Sequence, residues 1–265
     1  MIHSYLFVPG DRPERFDKAC AAGAGQVIVD LEDAVAPDAK ERARGHVAAW
    51  LRADRPVALR INDAATPWFD ADLALAAAPG VVAVMLPKAE GAEVLARVAA
   101  AAPHASLLPL VETAQGIAAL AEVARAPRVQ RLVFGTIDLQ LDLGIEGDAD
   151  ELLFFRSQIV LQSRLAGLEA PVDGVCTAIA DVESLRAASL RARRFGFGAK
   201  LCIHPRQVPV VEAALAPSAD ELAWARHVLD AAEKAKGGAI AVDGLMVDRP
   251  VLLRARKLLS EARQR

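Results

Sequence analysis

Cysteine is scarce, with three in 265 residues. An odd and low count excludes a disulfide scaffold and suits a reducing compartment. Aromatic residues make up only 5% of the chain, including a single tyrosine, and neither sign of charge dominates. Thirty-one Lys and Arg against 34 Asp and Glu leave a formal charge of −3, so no basic field gathers nucleic acid or an anionic membrane surface. No apolar run approaches the ~20 residues that cross a bilayer. The start, Met1-Ile2-His3-Ser4-Tyr5, lacks the basic residues and extended apolar stretch of a secretory signal. Missing too are a G-x-G-x-x-G or G-x-x-x-x-G-K phosphate loop and any clustered Cys/His spacing suited to zinc. What is present, 54% hydrophobic and 25% charged residues, is too apolar for a disordered chain. The expectation is a cytoplasmic globular protein of a length that suits one α/β barrel.

Short β-type runs alternate along the chain with Ala/Leu/Arg-rich stretches of helical period. The runs lie at residues 5–8, 27–29, 57–61, 81–86, 107–111, 132–134, 172–175 and 200–203. Most are continuously apolar, as strands buried on both faces of a parallel sheet are. Helices are expected at about 13–23, 37–52, 68–78, 91–101, 114–125, 151–166, 181–193 and 205–214, several opened by Asp-Arg-Pro or Ala-Pro-Asp signals. Eight alternations predict a (β/α)₈ TIM barrel over residues 1–217, preferred to an open doubly wound sheet. Residues 218–265 read as a C-terminal helical arm or lid of the same domain. Ser218 and Glu221 form its capping box, and Gly237-Gly238 closes a helix through Lys236.

Catalytic residues of such barrels follow the C-terminal ends of the strands. There the sequence places Asp30, Glu32 and Asp33, then Arg60 and Asn62, Lys88, Glu112, Gly135-Thr136-Ile137-Asp138 and His204. Glu112 and Asp138 follow neighbouring strands, and two carboxylates completed by water and substrate oxygens commonly hold Mg²⁺. The alternative is that Glu112 caps the helix near Thr113 and Asp138 caps a loop. Arg60 interrupts an apolar run, where an unpaired guanidinium is costly. It reads either as a clamp for substrate oxyanions or as an internal ion pair with Glu32 and Asp33. Lys88 is expected to reach solvent, His204 to be structural, and Cys202 and Cys176 to be buried thiols.

Eight segments carry a resemblance, in order, over essentially the whole chain. They are Ser4–Gly10 (SYLFVPG), Val29–Val35 (VDLEDAV), Leu59–Asn62 (LRIN), Leu86–Glu90 (LPKAE), Val111–Ile117 (VETAQGI), Phe134–Asp138 (FGTID), Gly196–Pro205 (GFGAKLCIHP) and Val242–Pro250 (VDGLMVDRP). The chain resembles the citrate lyase β-subunit family, within the malyl-CoA lyase and hydroxy-acid aldolase superfamily. The resemblance implies a trimeric or hexameric barrel that makes or breaks a C–C bond beside a thioester, on CoA or a carrier protein. It makes Glu112 and Asp138 the Mg²⁺ ligands, Arg60 the binder of substrate oxygens, and Glu32 and Asp33 the acidic rim around the metal's waters. Gly135 and Thr136 join Arg60 and Glu112 in binding substrate. Asp248, on the arm, exchanges the proton, reaching a neighbouring subunit's site in related lyases. The implied activity is Mg²⁺-dependent cleavage or condensation of a citryl-, malyl- or citramalyl-type thioester. Alternatives are the β subunit of a multi-chain citrate lyase, and a CoA-free hydroxy-keto-acid aldolase. The aldolase is disfavoured because no early-loop histidine is present.

Overall fold

The computed structural model describes residues 2–234 and 240–263. Eight parallel strands close in sequence order into a barrel, β1-β2-β3-β4-β5-β6-β7-β8, with β1 paired back to β8. The first half runs β1 (Ser4–Pro9), α1 (Phe16–Cys20), β2 (Gln26–Asp30), α2 (Lys40–Trp50), β3 (Val57–Arg60), α3 (Phe69–Ala76), β4 (Val81–Leu86) and α4 (Ala92–Ala101). The second half runs β5 (Ser106–Val111), α5 (Ala114–Ala118), α6 (Leu120–Val123), β6 (Val133–Phe134), α7 (Thr136–Leu143), α8 (Leu153–Leu165), β7 (Val172–Asp173), α9 (Val182–Phe195), β8 (Ala199–Cys202) and α10 (Val208–Leu215). The expected (β/α)₈ architecture is therefore the observed one. Helix α7 is an addition, because no helix was expected between about 125 and 151. The expected strand over 172–175 shortens to two residues.

Two compact units describe the chain, Ile2–Glu212 and Ala213–Arg265. The second holds α11 (Ala219–Lys234), the antiparallel hairpin of β9 (Ile240–Val242) and β10 (Leu245–Val247), and α12 (Arg249–Arg263). Ser218 and Glu221 form the expected capping pair, Ser218 Oγ accepting from the Glu221 amide and Glu221 Oε2 from the Ser218 amide. The expected helix end at Lys236 and the Gly237-Gly238 stop lie outside the described residues. Ala225, Val228, Val242, Val247, Ala255 and Leu258 form this unit's own apolar core. Among the described residues, no helix is long and apolar enough to cross a membrane.

In the barrel, alternate residues point inward. Tyr5, Ile28, Ala58, Met85, Leu108, Leu110, Val133, Val172, Ala199 and Leu201 fill the interior. Residues of the opposite phase meet the helices and are equally apolar, which explains the unbroken hydrophobic runs. Ser4, Asp173 and Lys200 are buried polar exceptions in that outer layer. Asp173 of β7 is fully buried, accepting from Lys200 Nζ at 2.8 Å and from Arg156 Nε at 3.0 Å. Arg156 also binds Asp148, which Arg191 joins at 3.0 Å. These bonds tie together α8, β7, β8 and α9, where the strands are shortest.

Burial alone would raise the Asp173 carboxyl, but Lys200 and Arg156 hold it below its ordinary value. A carboxyl lowered on folding stabilises the fold above its unfolded pKa, and the stabilisation is lost as pH falls through the folded value. Asp173→Asn leaves two cations buried against a neutral amide. The expected loss is about 3–5 kcal/mol at pH 7, read by urea unfolding. The gap from wild type should narrow on acidification below about pH 4.

Candidate active site

Continuing the inward phase past the core turns each strand end polar. Ile28 leads to Asp30, Ala58 to Arg60, Leu110 to Glu112 and Val133 to Gly135. All four lead residues belong to the interior cluster, and all four followers line one cavity of about 440 Å³. Asp33, Thr136, Ile137 and Asp138 line it as well, with Phe7, Val175, Leu201 and Ile203 as an apolar side. Barrel geometry thus gathers residues spread over more than a hundred positions of sequence.

Arg60 is nine-tenths buried and lies directly beside Asp30 in the β2–β3 register. Its Nε donates to Asp30 Oδ1 at 2.7 Å and its Nη2 to Asp30 Oδ2 at 2.6 Å. This fork-to-carboxylate pair fixes the guanidinium plane. Nη1 lies 2.8 Å from Glu32 Oε2 and 3.6 Å from Asp33 Oδ2, yet Glu32 Oε2 accepts no hydrogen bond. The approach is a charge contact without alignment, since Asp30 sets the direction of the fork. The expected ion pair is present, and Arg60 also faces the cavity. Its principal partner is Asp30, a residue given no role on sequence. Burial would lower the Arg60 pKa, but Asp30, Glu32 and Asp33 together raise it.

Glu112 does not cap the helix that follows it, which corrects one of the two sequence readings. Thr113 is the N-cap of α5, its hydroxyl accepting from the Gly116 amide at 3.0 Å. Glu112 Oε1 instead accepts from the Lys88 amide at 2.8 Å. Lys88 holds the left-handed conformation, φ 45°, which turns that amide toward the carboxylate. Its side chain is half-exposed, with Nζ 3.3 Å from Asp63, as expected of a lysine that reaches solvent. A Cβ on Gly135 would stand 2.4 Å from Glu112 Cβ and 2.7 Å from Oε2, so glycine there leaves room for the carboxylate. Asp138 caps no loop; it lies in the first turn of α7, whose N-cap is Gly135.

Burial pushes Glu112 up to about 8, with Asp138 and Glu32 adding to the rise against the Lys88 amide and Arg60. Burial raises Glu32 to about 7 despite Arg60. Asp138 is raised as well, by burial and then by Asp33. The mouth therefore holds five carboxylates (Asp30, Glu32, Asp33, Glu112 and Asp138) around one guanidinium already bound to Asp30. Such an excess suits a hard divalent cation with oxygen ligands. Among the described residues no group of three or more His, Cys, Asp or Glu side chains is set to ligate a metal. A cation on Glu112 and Asp138 would thus complete its shell with water or substrate.

Glu32 backs Arg60 and is not among the cavity-lining residues, whereas Asp33 is. Asp248 lies in the second unit, where its Oδ1 accepts from the Val251 amide at 3.3 Å and its carbonyl from Leu252. His204 is structural, as expected, capping a 3₁₀ turn by accepting from the Arg206 amide at 3.1 Å. Cys202 is buried, its thiol pushed up to about 12 by burial; Cys176 is only partly buried.

Residues 3–205 match the family model described as HpcH/HpaI aldolase/citrate lyase. A citrate lyase subunit beta-like protein of Mycobacterium tuberculosis is 41% identical over 97% of this chain and 94% of its own length. A (3S)-malyl-CoA thioesterase of Cereibacter sphaeroides is 36% identical over 98% of this chain and 94% of its own. The crystal structure of CitE from M. tuberculosis in complex with magnesium, acetoacetate and coenzyme A has a TM-score of 0.88 to this chain. That match is 40% identical and covers 98% of this chain and 97% of the other.

A carboxyl raised on folding destabilises the fold as pH climbs from its unfolded to its folded pKa. For Glu112 that interval runs from about 4.5 to about 8. In EDTA, Glu112→Gln is expected to melt a few degrees above wild type at pH 8.5, the two curves meeting near pH 4.5. Differential scanning calorimetry across that range decides; equal melting at every pH would remove the buried charge from the argument.

Proposed function

Because the chain belongs to the HpcH/HpaI aldolase/citrate lyase family, we propose that it is a Mg²⁺-dependent carbon–carbon lyase. Its substrate is a citryl-, malyl- or citramalyl-type acyl thioester, cleaved to an acetyl thioester and a 2-keto acid, or formed from them. The observation that carries the reading is Arg60, held by Asp30 at the mouth beside the buried Glu112 and the more exposed Asp138, both with raised carboxyl pKa values. When bound at Glu112 and Asp138, Mg²⁺ supplies positive charge to the oxygens of the acid half.

The remaining steps fall to the chain itself. Cleavage takes the proton from the substrate hydroxyl, breaks the C–C bond and leaves its electron pair as a thioester enolate. Fixed donors aimed at a developing oxyanion are commonly the largest catalytic contribution. Arg60 Nη1, free of aligned hydrogen bonds to Asp30, is the donor we assign to substrate oxygens. Asp33 lines the cavity and is assigned the hydroxyl proton, with Glu32 steadying Arg60 from behind. Gly135 and Thr136 bring the first turn of α7, whose amides lack intrahelical acceptors as at any helix start, to the acid's carboxylate. Asp248 gives the proton to the enolate carbon, from the same chain or a neighbouring subunit of a homotrimer or hexamer. Support for that last role and for the assembly comes from the family resemblance.

The cavity lining favours a keto-acid half with a single carboxylate. Arg60 is the one cation among the lining residues, and the side formed by Phe7, Val175, Leu201 and Ile203 is apolar. A second carboxylate, as in a citryl substrate, meets no further cation among those lining residues. Malyl or citramalyl thioesters are therefore preferred. The relative named malyl-CoA thioesterase and the CoA-bound neighbour support CoA as the carrier. The name of that relative also favours a second reading, hydrolysis of the thioester with the carbon skeleton intact.

Mass spectrometry of products from malyl-, citramalyl- and citryl-CoA, with Mg²⁺ and with EDTA, separates these readings. Acetyl-CoA with glyoxylate, pyruvate or oxaloacetate, respectively, marks the lyase; free malate, citramalate or citrate marks hydrolysis. Glu112→Ala and Arg60→Met should each lower Mg²⁺-dependent cleavage by about 10²–10³-fold. Full activity of Glu112→Ala with added Mg²⁺ would sink the proposal.

A further inference from the structure

The loop that carries Glu32 and Asp33 is held by side chains that lie behind the site. Lys40, in the first turn of α2, is 5% exposed, and its Nζ donates to Leu31 O and Glu32 O, each at 2.8 Å. These two carbonyls belong to the peptide planes on either side of Glu32, so the pair of bonds fixes the backbone of that residue. The ammonium also sits 5.2 Å from the centroid of the Trp68 ring. Asn62 holds the same loop from the end of β3. Its Nδ2 donates to Leu31 O at 2.9 Å and to Asp72 Oδ2 at 2.5 Å, and its amide donates to Asp72 Oδ2 at 2.9 Å. Asp72, wholly buried on α3, takes its other bond from Arg44 Nη1 of α2 at 3.0 Å.

A buried ammonium is an expensive way to fill space, and a well-packed apolar side chain commonly does so at lower cost. Both hydrogen bonds of the Lys40 ammonium go to the loop around Glu32. What requires the charge is that loop, whose carbonyls need donors and whose side chains bring Asp30, Glu32 and Asp33 close together around Arg60. Burial lowers the Lys40 pKa, while the carboxylates of Glu32, Asp30, Asp72 and Asp33 oppose that fall.

We propose that Lys40 is a positioning residue for the reaction: with Asn62 and Asp72, it pins the peptide planes around Glu32 so that Glu32 and Asp33 stay in place beside Arg60. The assignment rests on the lyase reading for its chemical consequence and on the hydrogen bonds alone for the clamp. It touches no reacting atom. Its loss should therefore act on the rate of the chemical step more than on thioester binding.

Two measurements on the full chain test it, using Lys40→Met and, because that variant can lose fold, Asn62→Ala. The first is amide hydrogen exchange at Glu32, Ala34 and Val35, which donate to Asp30 Oδ1, Asp30 Oδ2 and Glu32 O. Lys40→Met is expected to speed exchange there by about tenfold or more, with β3 amides unchanged. Asn62→Ala should give the same local pattern, more weakly. The second is kinetics with the best thioester substrate, where kcat should fall by about 10–100-fold and KM by less than about threefold in either direction. Wild-type exchange at the loop in both variants overturns the clamp, and so does loosening shared equally with β3 in Asn62→Ala. Local loosening with unchanged kcat overturns the positioning role. An inactive wild type defeats the lyase reading instead, and exchange then decides the clamp without substrate.

Discussion

The double hydrogen bond between Arg60 and Asp30, register neighbours across β2 and β3, determines what the other charges at the barrel mouth can do. A guanidinium inside a barrel is costly to bury alone, and Asp30 supplies the charge and geometry that make it tolerable. The same bond spends the fork. Nε and Nη2 are committed, the plane is fixed, and Glu32 receives proximity without an aligned hydrogen bond. The remaining carboxylates stay without a full counterion, and burial raises Glu32, Glu112 and Asp138. One well-made ion pair thus produces an electrically unbalanced site.

The imbalance is bearable because the surrounding barrel is over-determined. Inward positions are packed apolar residues up to the last turn of each strand, and polar groups appear only where the alternation reaches the mouth. The weakest sector is β6 and β7, with two residues each. There the buried Asp173, Lys200 and Arg156 hold the strands to their helices. Lys200 Nζ also donates to Gly174 O, and Gly174 leaves space for the Thr136 side chain. Stability in the outer layer and shape in the cavity are therefore set by the same bonds.

Much of this was legible in the chain. Eight apolar runs separated by helical period specify a parallel barrel, and a barrel specifies that the residues after each run converge. Arg60 stood out because an arginine within Val57-Ala58-Leu59-Arg60-Ile61 demands a partner. Which partner was not legible, since Asp30 and Glu32 stand two residues apart in the same phase and only the β2–β3 register decides between them. Glu112 and Thr113 are adjacent, and only the left-handed backbone at Lys88 reveals that Glu112 turns away from the helix that Thr113 caps. Helix α7 was missed because Thr136–Leu143 is short and opens directly from a two-residue strand. Lys40 gave no signal, as an N-terminal lysine on a helix is ordinarily solvated, and its role depends on carbonyls eight and nine residues earlier.

Under the proposed chemistry, positive charge at the mouth comes in two forms with different duties. Arg60 is permanent, so its direction must be right before substrate arrives, and Asp30 and the loop behind Glu32 provide that. A cation on Glu112 and Asp138 is removable, so those carboxylates must tolerate its absence. Their raised pKa values are the physical form of that tolerance, because a proton can take the place of a metal on a buried acid. A second arginine in place of the metal would steady the empty barrel but would offer forked donors where the acid half needs a compact centre shared among several oxygens. The strain carried by Glu112 and Asp138 is thus a consequence of leaving that place open, and the close-packed barrel below them is what allows it to persist.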